Sequence, residues 1–381
     1  MVSKLAAGFL FALALGQAAR ADPPAAWLQA DVDAIHDIGV PGVAAEVVDG
    51  AHQVATSGVS SLASGKPMPV DAHFHIASNT KTFVAVVILQ LAGEGRLSLD
   101  DTVERWLPGL VQGAGNDGRR IRIRNLLQHT SGLVDYGADL PIRSASDWER
   151  ERLRAYAPQE LVAMSMKHRP AWSPTAGETR FSYSNVNYVL AGMIIEKATG
   201  RSWREEVRER IVRPLKLSGT FAPEGSPDLP PPFVDSYVQF RPDEPMVETT
   251  SFNPTVVASA GAMISTTRDM NAFLRALIGG ELLRPAQMAE MERTIDAAGL
   301  HDLYPGARYG LGLIWRPLSC GGGYWSHVGE GAAGATRDGV TPDGRRSVVV
   351  FMSSELTAPE KRIEQERRAA ALIDRALCSA R

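Results

Sequence analysis

Residues 82–92 read Thr-Phe-Val-Ala-Val-Val-Ile-Leu-Gln-Leu-Ala, apolar at almost every position and without the polar stripe of a surface helix. Such a run predicts a helix starting near Ser78, whose wall of Phe83, Val84, Val86, Val87, Ile88 and Leu89 could bury a neighbouring polar group. Upstream, residues 43–48 and 52–58 are strand-like and are joined by Asp49-Gly50-Ala51, where Asp-Gly favours the tight turn of a hairpin. Residues 70–76 alternate, which predicts a strand with His73 and His75 facing outward. From residue 95 to about 254 the pattern changes to short helical stretches at 100–106, 125–128, 147–157, 188–198 and 203–210, broken by the prolines of 227–232. A helix is expected again at 268–277, then strand-like runs at 309–315, 332–336 and 347–352, and an amphipathic helix at 361–377. This order predicts an α+β fold: a sheet domain built from residues 22–94 and 255–381, into which a mainly helical domain, 95–254, is inserted.

The N-terminus departs from that scheme. Lys4 precedes an apolar run at 5–15, and Ala19-Arg20-Ala21 places small residues ahead of Asp22. This is the pattern of a secretory signal cleaved after residue 21, which would deliver the chain to the periplasm or the extracellular space. The run is about half the roughly 20 residues a membrane span needs, so no stable membrane anchor is expected. A net charge of −3 over 381 residues supplies no basic field for nucleic acid. Cys320 and Cys378 are the two cysteines; the count alone leaves a bridge and two buried thiols equally open.

The chemistry concentrates at three short motifs. Ser78-Asn79-Thr80-Lys81 sets a hydroxyl and an amine one helical turn apart. Serine needs an adjacent base to become a nucleophile, and burial makes lysine a base by disfavouring its charged form. Alone, the tetrad also fits a solvated helix start. Tyr183-Ser184-Asn185 could aim a phenol and an amide the same way, to relay a proton and hold a substrate carbonyl, or be an ordinary polar turn. His327-Val328-Gly329 offers an imidazole that could orient groups across a cleft and a glycine that would admit a substrate backbone; a lone histidine there is also a common structural residue. Residues 329–334 spell a formal Gly-x-Gly-x-x-Gly, set aside because a strand rather than a phosphate-binding helix is expected to follow. His73 and His75 lack a nearby carboxylate partner for a metal site and read as polar side chains that face solvent.

Taken in order and spacing, Ser-x-x-Lys, Tyr-x-Asn and His-x-Gly resemble the penicillin-recognising serine hydrolases, in the branch that holds class C β-lactamases, exported D-alanyl-D-alanine carboxypeptidases and lactamase-like esterases. The likeness extends from about residue 38 to 378 and includes Leu126-Leu127-Gln128-His129-Thr130-Ser131-Gly132-Leu133, Ser259-Ala260-Gly261-Ala262 and Tyr309-Gly310-Leu311-Gly312-Leu313. It implies a β-lactamase/transpeptidase-like fold with an antiparallel sheet, and acyl-enzyme chemistry. Ser78 would attack a carbonyl, Lys81 and Tyr183 would move the proton, Asn185 would hold the acyl-side amide, and His327 would lie near Tyr183. The N–H groups of Ser78 and Glu330 would form the oxyanion hole. A Cys320–Cys378 disulfide is implied by the same likeness, and no cofactor or metal is.

The substrate implied is a D-alanyl-D-alanine-type peptide such as a peptidoglycan stem. Carboxypeptidases of this kind seat the terminal carboxylate on hydroxyls in and after the third motif and on an arginine in the strand before it. Here Val328, Glu330 and Ile314 occupy those positions, with Arg316 two residues on as a candidate substitute. An ester, an amide or a β-lactam is therefore an alternative substrate, and a penicillin-binding sensor that does not turn over is an alternative of another class.

Overall fold

The computed structural model describes residues 25–332 and 334–378. The expected signal segment, 1–21, lies outside the described residues. A nine-stranded antiparallel sheet organises the chain. Its strands are β1 (Gly42–Val48), β2 (His52–Gly58), β3 (Ile295–Asp296), β4 (Arg308–Tyr309), β5 (Ile314–Pro317), β6 (Gly323–Ser326), β7 (Val328–Gly329), β8 (Ala335–Val340) and β9 (Ser347–Met352). They are ordered β2-β1-β9-β8-β6-β5-β4-β3, with β7 paired to β8 off this path. The first and last parts of the chain thus meet at the centre, where Val43 pairs with Met352 and Val48 with Ser347.

β1 is buried along its whole length, which explains why its sequence does not alternate with polar residues. Val43, Ala45 and Val47 face one layer with Val348, Val350 and Met352, against helices α1 (Ala26–Asp37) and α5 (Pro359–Cys378). Ala44, Val349 and Phe351 face the other way, into the main core. There lies α2 (Thr80–Gly93), buried at every position from Thr80 to Leu89. Phe83 of α2 stacks on Phe273 of α4 (Thr267–Ile278), ring centroids 3.6 Å apart. α3 (Val186–Thr199) packs in the same core and ends on Gly200, whose φ of 76° is the left-handed cap that glycine adopts without strain. Between residues 95 and 254 the structure is mainly short helices and loops. Among the described residues no helix is long and apolar enough to cross a membrane.

Several local expectations change. The run 309–315 is not one strand: Gly310 N–H bonds to Leu313 O, and the chain folds back as the β4–β5 hairpin. The tip of that hairpin docks on α2, where Thr82 Oγ1 donates to Gly312 O at 2.8 Å and a Cβ on Gly312 would stand 2.6 Å from Ala85 Cβ. The strand expected at 332–336 starts at Ala335 and runs on to Val340, confirming that no phosphate-binding helix follows the glycines. His75 does not face outward: it is buried, with Nε2 3.1 Å from Thr250 O and its ring 4.7 Å from that of Phe252. Burial lowers its pKa to about 4, so it packs as a neutral ring.

Candidate active site

Ser78 lies on a 3₁₀ turn, Ala77–Asn79, that leads straight into α2. Ala77 just before it has φ +45°, a left-handed conformation that costs a non-glycine residue free energy and recurs at functional turns. Asn79 Nδ2 donates to Ile76 O and Thr80 Oγ1 accepts the Met263 N–H, which tie the turn to the core on both sides.

Lys81 is fully buried one turn on. Its Nζ lies 2.8 Å from Ser78 Oγ, 2.8 Å from Asn185 Oδ1 and 2.7 Å from Ala260 O. No carboxylate is among these partners, and burial lowers its pKa to about 7, with the charge of Asp135 acting in the opposite direction. The contacts then dictate where the lone pair points. A neutral amine has two N–H bonds, and the two carbonyl oxygens can only accept. Both hydrogens are consumed by Asn185 and Ala260, so the lone pair is left facing the serine hydroxyl. That is the arrangement of a general base on a nucleophile.

Tyr183 and Asn185 approach from the turn that precedes α3. Lys81 Nζ is 4.9 Å from the centre of the Tyr183 ring. Burial pushes the phenol pKa well up, and Ser78 lies near enough to act against that shift. The Asn185 N–H donates to Asp135 Oδ2, whose other oxygen takes the Gly137 N–H at 2.6 Å. Asp135 and the Ala260 carbonyl were not singled out from sequence as parts of the site. The second was within reach, since it belongs to the quoted 259–262 motif, whereas nothing in the pattern around Asp135 distinguishes it from a turn residue.

The third motif is placed differently from the expectation. His327 is fully buried and does not reach across the cleft: Nε2 is 2.9 Å from the Tyr309 hydroxyl, and its own N–H donates to Asp338 Oδ1. Burial brings its pKa down to about 3. Gly329 is a glycine for the protein's own backbone, because a Cβ there would come 2.5 Å from Ile76 O. This close approach sets β7 against the Ser78 turn and brings Glu330 to the wall of the cleft. Arg316 is also buried, its guanidinium 4.5 Å from the Tyr304 ring centre and 5.5 Å from that of Tyr324; it lines neither hollow beside Ser78 and so does not stand in for a carboxylate-binding arginine. Cys320 and Cys378 are disulfide-bonded, tying the β5–β6 turn to the end of α5.

Two hollows meet at Ser78, and both are also lined by Asn185, Glu330 and Arg362. One, of about 490 Å³, is walled mainly by apolar groups, among them Leu140, Ile142, Trp148, Phe240 and Phe252. The other, of about 610 Å³, is lined by Tyr183, Leu300, Asp302 and Tyr304. Arg362 is already engaged, 2.6 Å from Glu355 and 3.4 Å from Glu330. Glu330 Oε1 also accepts from the Tyr304 hydroxyl and from Arg337 Nη2, each at 2.7 Å.

A buried amine aimed at a serine, at the edge of an antiparallel sheet and beneath a Tyr-x-Asn turn, defines a serine hydrolase of the β-lactamase/transpeptidase type. Residues 25–373 match the beta-lactamase family, and the chain belongs to it. Among solved structures it resembles the D-stereospecific amidohydrolase from Streptomyces sp., with 36% identity, a TM-score of 0.81 and coverage of 89% of this chain and 96% of that one. It likewise resembles the D-amino acid amidase from Ochrobactrum anthropi SV3, with 26% identity, a TM-score of 0.77 and coverage of 91% and 96%. Penicillin-binding protein 4* of Bacillus subtilis (strain 168) is 30% identical over 243 residues, 60% of this chain and 50% of that protein. The chain thus spans about half the length of that relative.

Proposed function

We propose that the protein is an exported D-stereospecific amidase or esterase that carries an apolar acyl group. Ser78 attacks the substrate carbonyl while Lys81 takes its proton; Tyr183 passes a proton to the departing amine or alcohol; water then releases the acyl group from Ser78. Asn185 borders both hollows and would meet the acyl-side amide or amine. The apolar hollow suits a bulky side chain, and similarity to two D-selective amide hydrolases supports the stereochemistry.

The observation that carries this reading over a D-alanyl-D-alanine carboxypeptidase is the electrostatics of the cleft. A terminal carboxylate would meet Glu330, the arginine on the walls is paired with Glu355 and Glu330, and Arg316 is buried elsewhere. Penicillin-binding protein 4* keeps a penicillin-reactive enzyme as the second reading. The N-terminal pattern of 1–21 supports export, as does a disulfide, which persists in oxidising compartments.

The test is a parallel assay with D- and L-enantiomers of an aromatic amino acid amide, a p-nitrophenyl ester, a diacyl-D-Ala-D-Ala peptide and nitrocefin. Faster turnover of the D-amide than of its enantiomer and of the diacyl peptide is expected. Preferential release of terminal D-Ala would reinstate the carboxypeptidase, and label from a penicillin that persists without product would reveal a sensor. N-terminal sequencing of secreted protein should begin at Asp22.

A further inference from the structure

We infer that His129 is the positioning residue for Tyr183: it clamps residues 182–184 as one unit and thereby aims the phenol at Ser78 and the leaving group. The inference rests on Tyr183 as the proton relay. Three separate contacts come from this one residue. The His129 carbonyl accepts the Ser182 N–H at 3.0 Å, and its Nδ1 accepts the Ser184 N–H at 3.1 Å. Between them, its ring lies against the ring of Tyr183, centroids 4.2 Å apart and planes inclined by 27°. Stacking of this kind restrains both the position and the tilt of a phenol.

The histidine is itself held with little freedom. It follows a short helix, Ile123–Leu127, and adopts φ +56°, a left-handed conformation that histidine tolerates better than most residues. Asn187 Nδ2 makes a second approach to Nδ1 at 3.1 Å, and its Oδ1 accepts from Ser131 Oγ, which fixes the amide's orientation. On its other sides the ring meets Tyr309 edge-on at 5.0 Å and Tyr188 at 5.4 Å.

A backbone N–H can only donate, so Nδ1 must carry a lone pair and the ring proton must sit on Nε2, which has no hydrogen-bond partner among the described residues. An imidazolium would break the clamp. Burial, reinforced by the charge of Lys81, holds the ring neutral by lowering its pKa far below the usual range. Neither a leucine nor a phenylalanine could supply the acceptor, and an asparagine could supply it without the ring. The Leu-Leu-Gln-His-Thr-Ser-Gly-Leu segment, conspicuous in the sequence but without an assigned task, thus acquires one.

The experiment compares an amide, whose nitrogen must be protonated to depart, with a p-nitrophenyl ester, whose phenolate leaves unaided. His129→Leu should lower kcat for the amide by at least about tenfold, a fraction of what a general acid contributes, with ester hydrolysis nearly unchanged. His129→Asn, which keeps an acceptor for the Ser184 N–H, should recover part of the loss. Equal losses on both substrates, or an unchanged amide rate, in folded protein would overturn the inference. If His129→Leu loses native circular dichroism and capture of a fluorophosphonate, Asn187→Leu, which removes the second group on Nδ1 from outside the ring, is read by the same two substrates. Tyr183→Phe is the reference. Should it show the amide-selective loss while the His129 variants do not, the clamp is wrong and the relay stands; should it show none, the relay reading falls and takes the clamp with it.

Discussion

Among the described residues two basic side chains, Lys81 and Arg337, are almost completely buried, and their surroundings could hardly differ more. Lys81 has a hydroxyl and two carbonyl oxygens as partners. Arg337 has carboxylates: Nε donates to Glu366 at 2.8 Å, Nη2 donates to both Glu366 and Glu330, and Nη1 reaches the Gly329 and Thr336 carbonyls at 2.8 and 3.0 Å. Burial lowers the pKa of Lys81 to about 7, whereas the acids around Arg337 outweigh its burial and raise its pKa. The contrast teaches that burial alone does not make a base reactive. Neutral acceptors release the proton of Lys81, and carboxylates lock the charge of Arg337 into the framework.

The largest test breaks the reactive side. Ser78→Ala should abolish turnover and covalent capture of a fluorophosphonate, and Lys81→Met should lower kcat/KM by about 10²–10⁴-fold, the range of a general base. Lys81→Arg sharpens the point, because a guanidinium stays charged and should be no better than methionine. Assays with active-site titration check all three; retained labelling of Ser78→Ala would identify another nucleophile.

The framework side should fail in stability instead. Arg337→Met leaves Glu366 buried without its partner and should cost about 3–5 kcal/mol in denaturant unfolding, while the Arg337→Met/Glu366→Met pair should recover much of it. An Arg337→Met protein as stable as wild type would contradict the ion-pair account.

Gly329 joins the two regions, its carbonyl on Arg337 and its α-carbon against Ile76 O beside the nucleophile. Gly329→Ala forces that contact apart and should destabilise by about 1–3 kcal/mol with a fall in kcat. Comparison of melting temperature and kcat for this variant checks whether β7 transmits strain to Ser78.

The smallest effects are in pH. The free amine is the active form, so kcat/KM should rise with pH through about 7 and level off above it. In the unfolded chain Lys81 keeps its proton to about 10.4, so between roughly pH 7 and 9 the unfolded state binds more protons and the Lys81 contribution to stability rises with pH. Lys81→Met should remove that rise, as read from unfolding midpoints at pH 7 and 9.

Much of the framework was legible along the chain. The β1–β2 hairpin, the helix opening near Ser78, the strand at 347–352 and the closing helix each follow from patterns a few residues long. The hairpin at 308–317 was not, because Gly310 and Gly312 turn the chain to dock on α2, and docking leaves no local signature. The burial of His75 is hidden for a related reason: alternation says which residues share a face, not which face the rest of the chain covers. His327 and Gly329 were legible as a motif, yet their tasks are internal, a hydrogen bond to Tyr309 and room for Ile76 O.

From the chain alone follow a serine and a lysine three residues apart at the opening of an apolar helix, since helical spacing and an apolar run are local properties. Tertiary structure decided that the lysine would be a base. Its two carbonyl acceptors come from 104 and 179 residues away, and the water they displace is what made the ammonium stable. Protonation state is an energy of surroundings, and those surroundings exist only once the distant segments have closed around the amine.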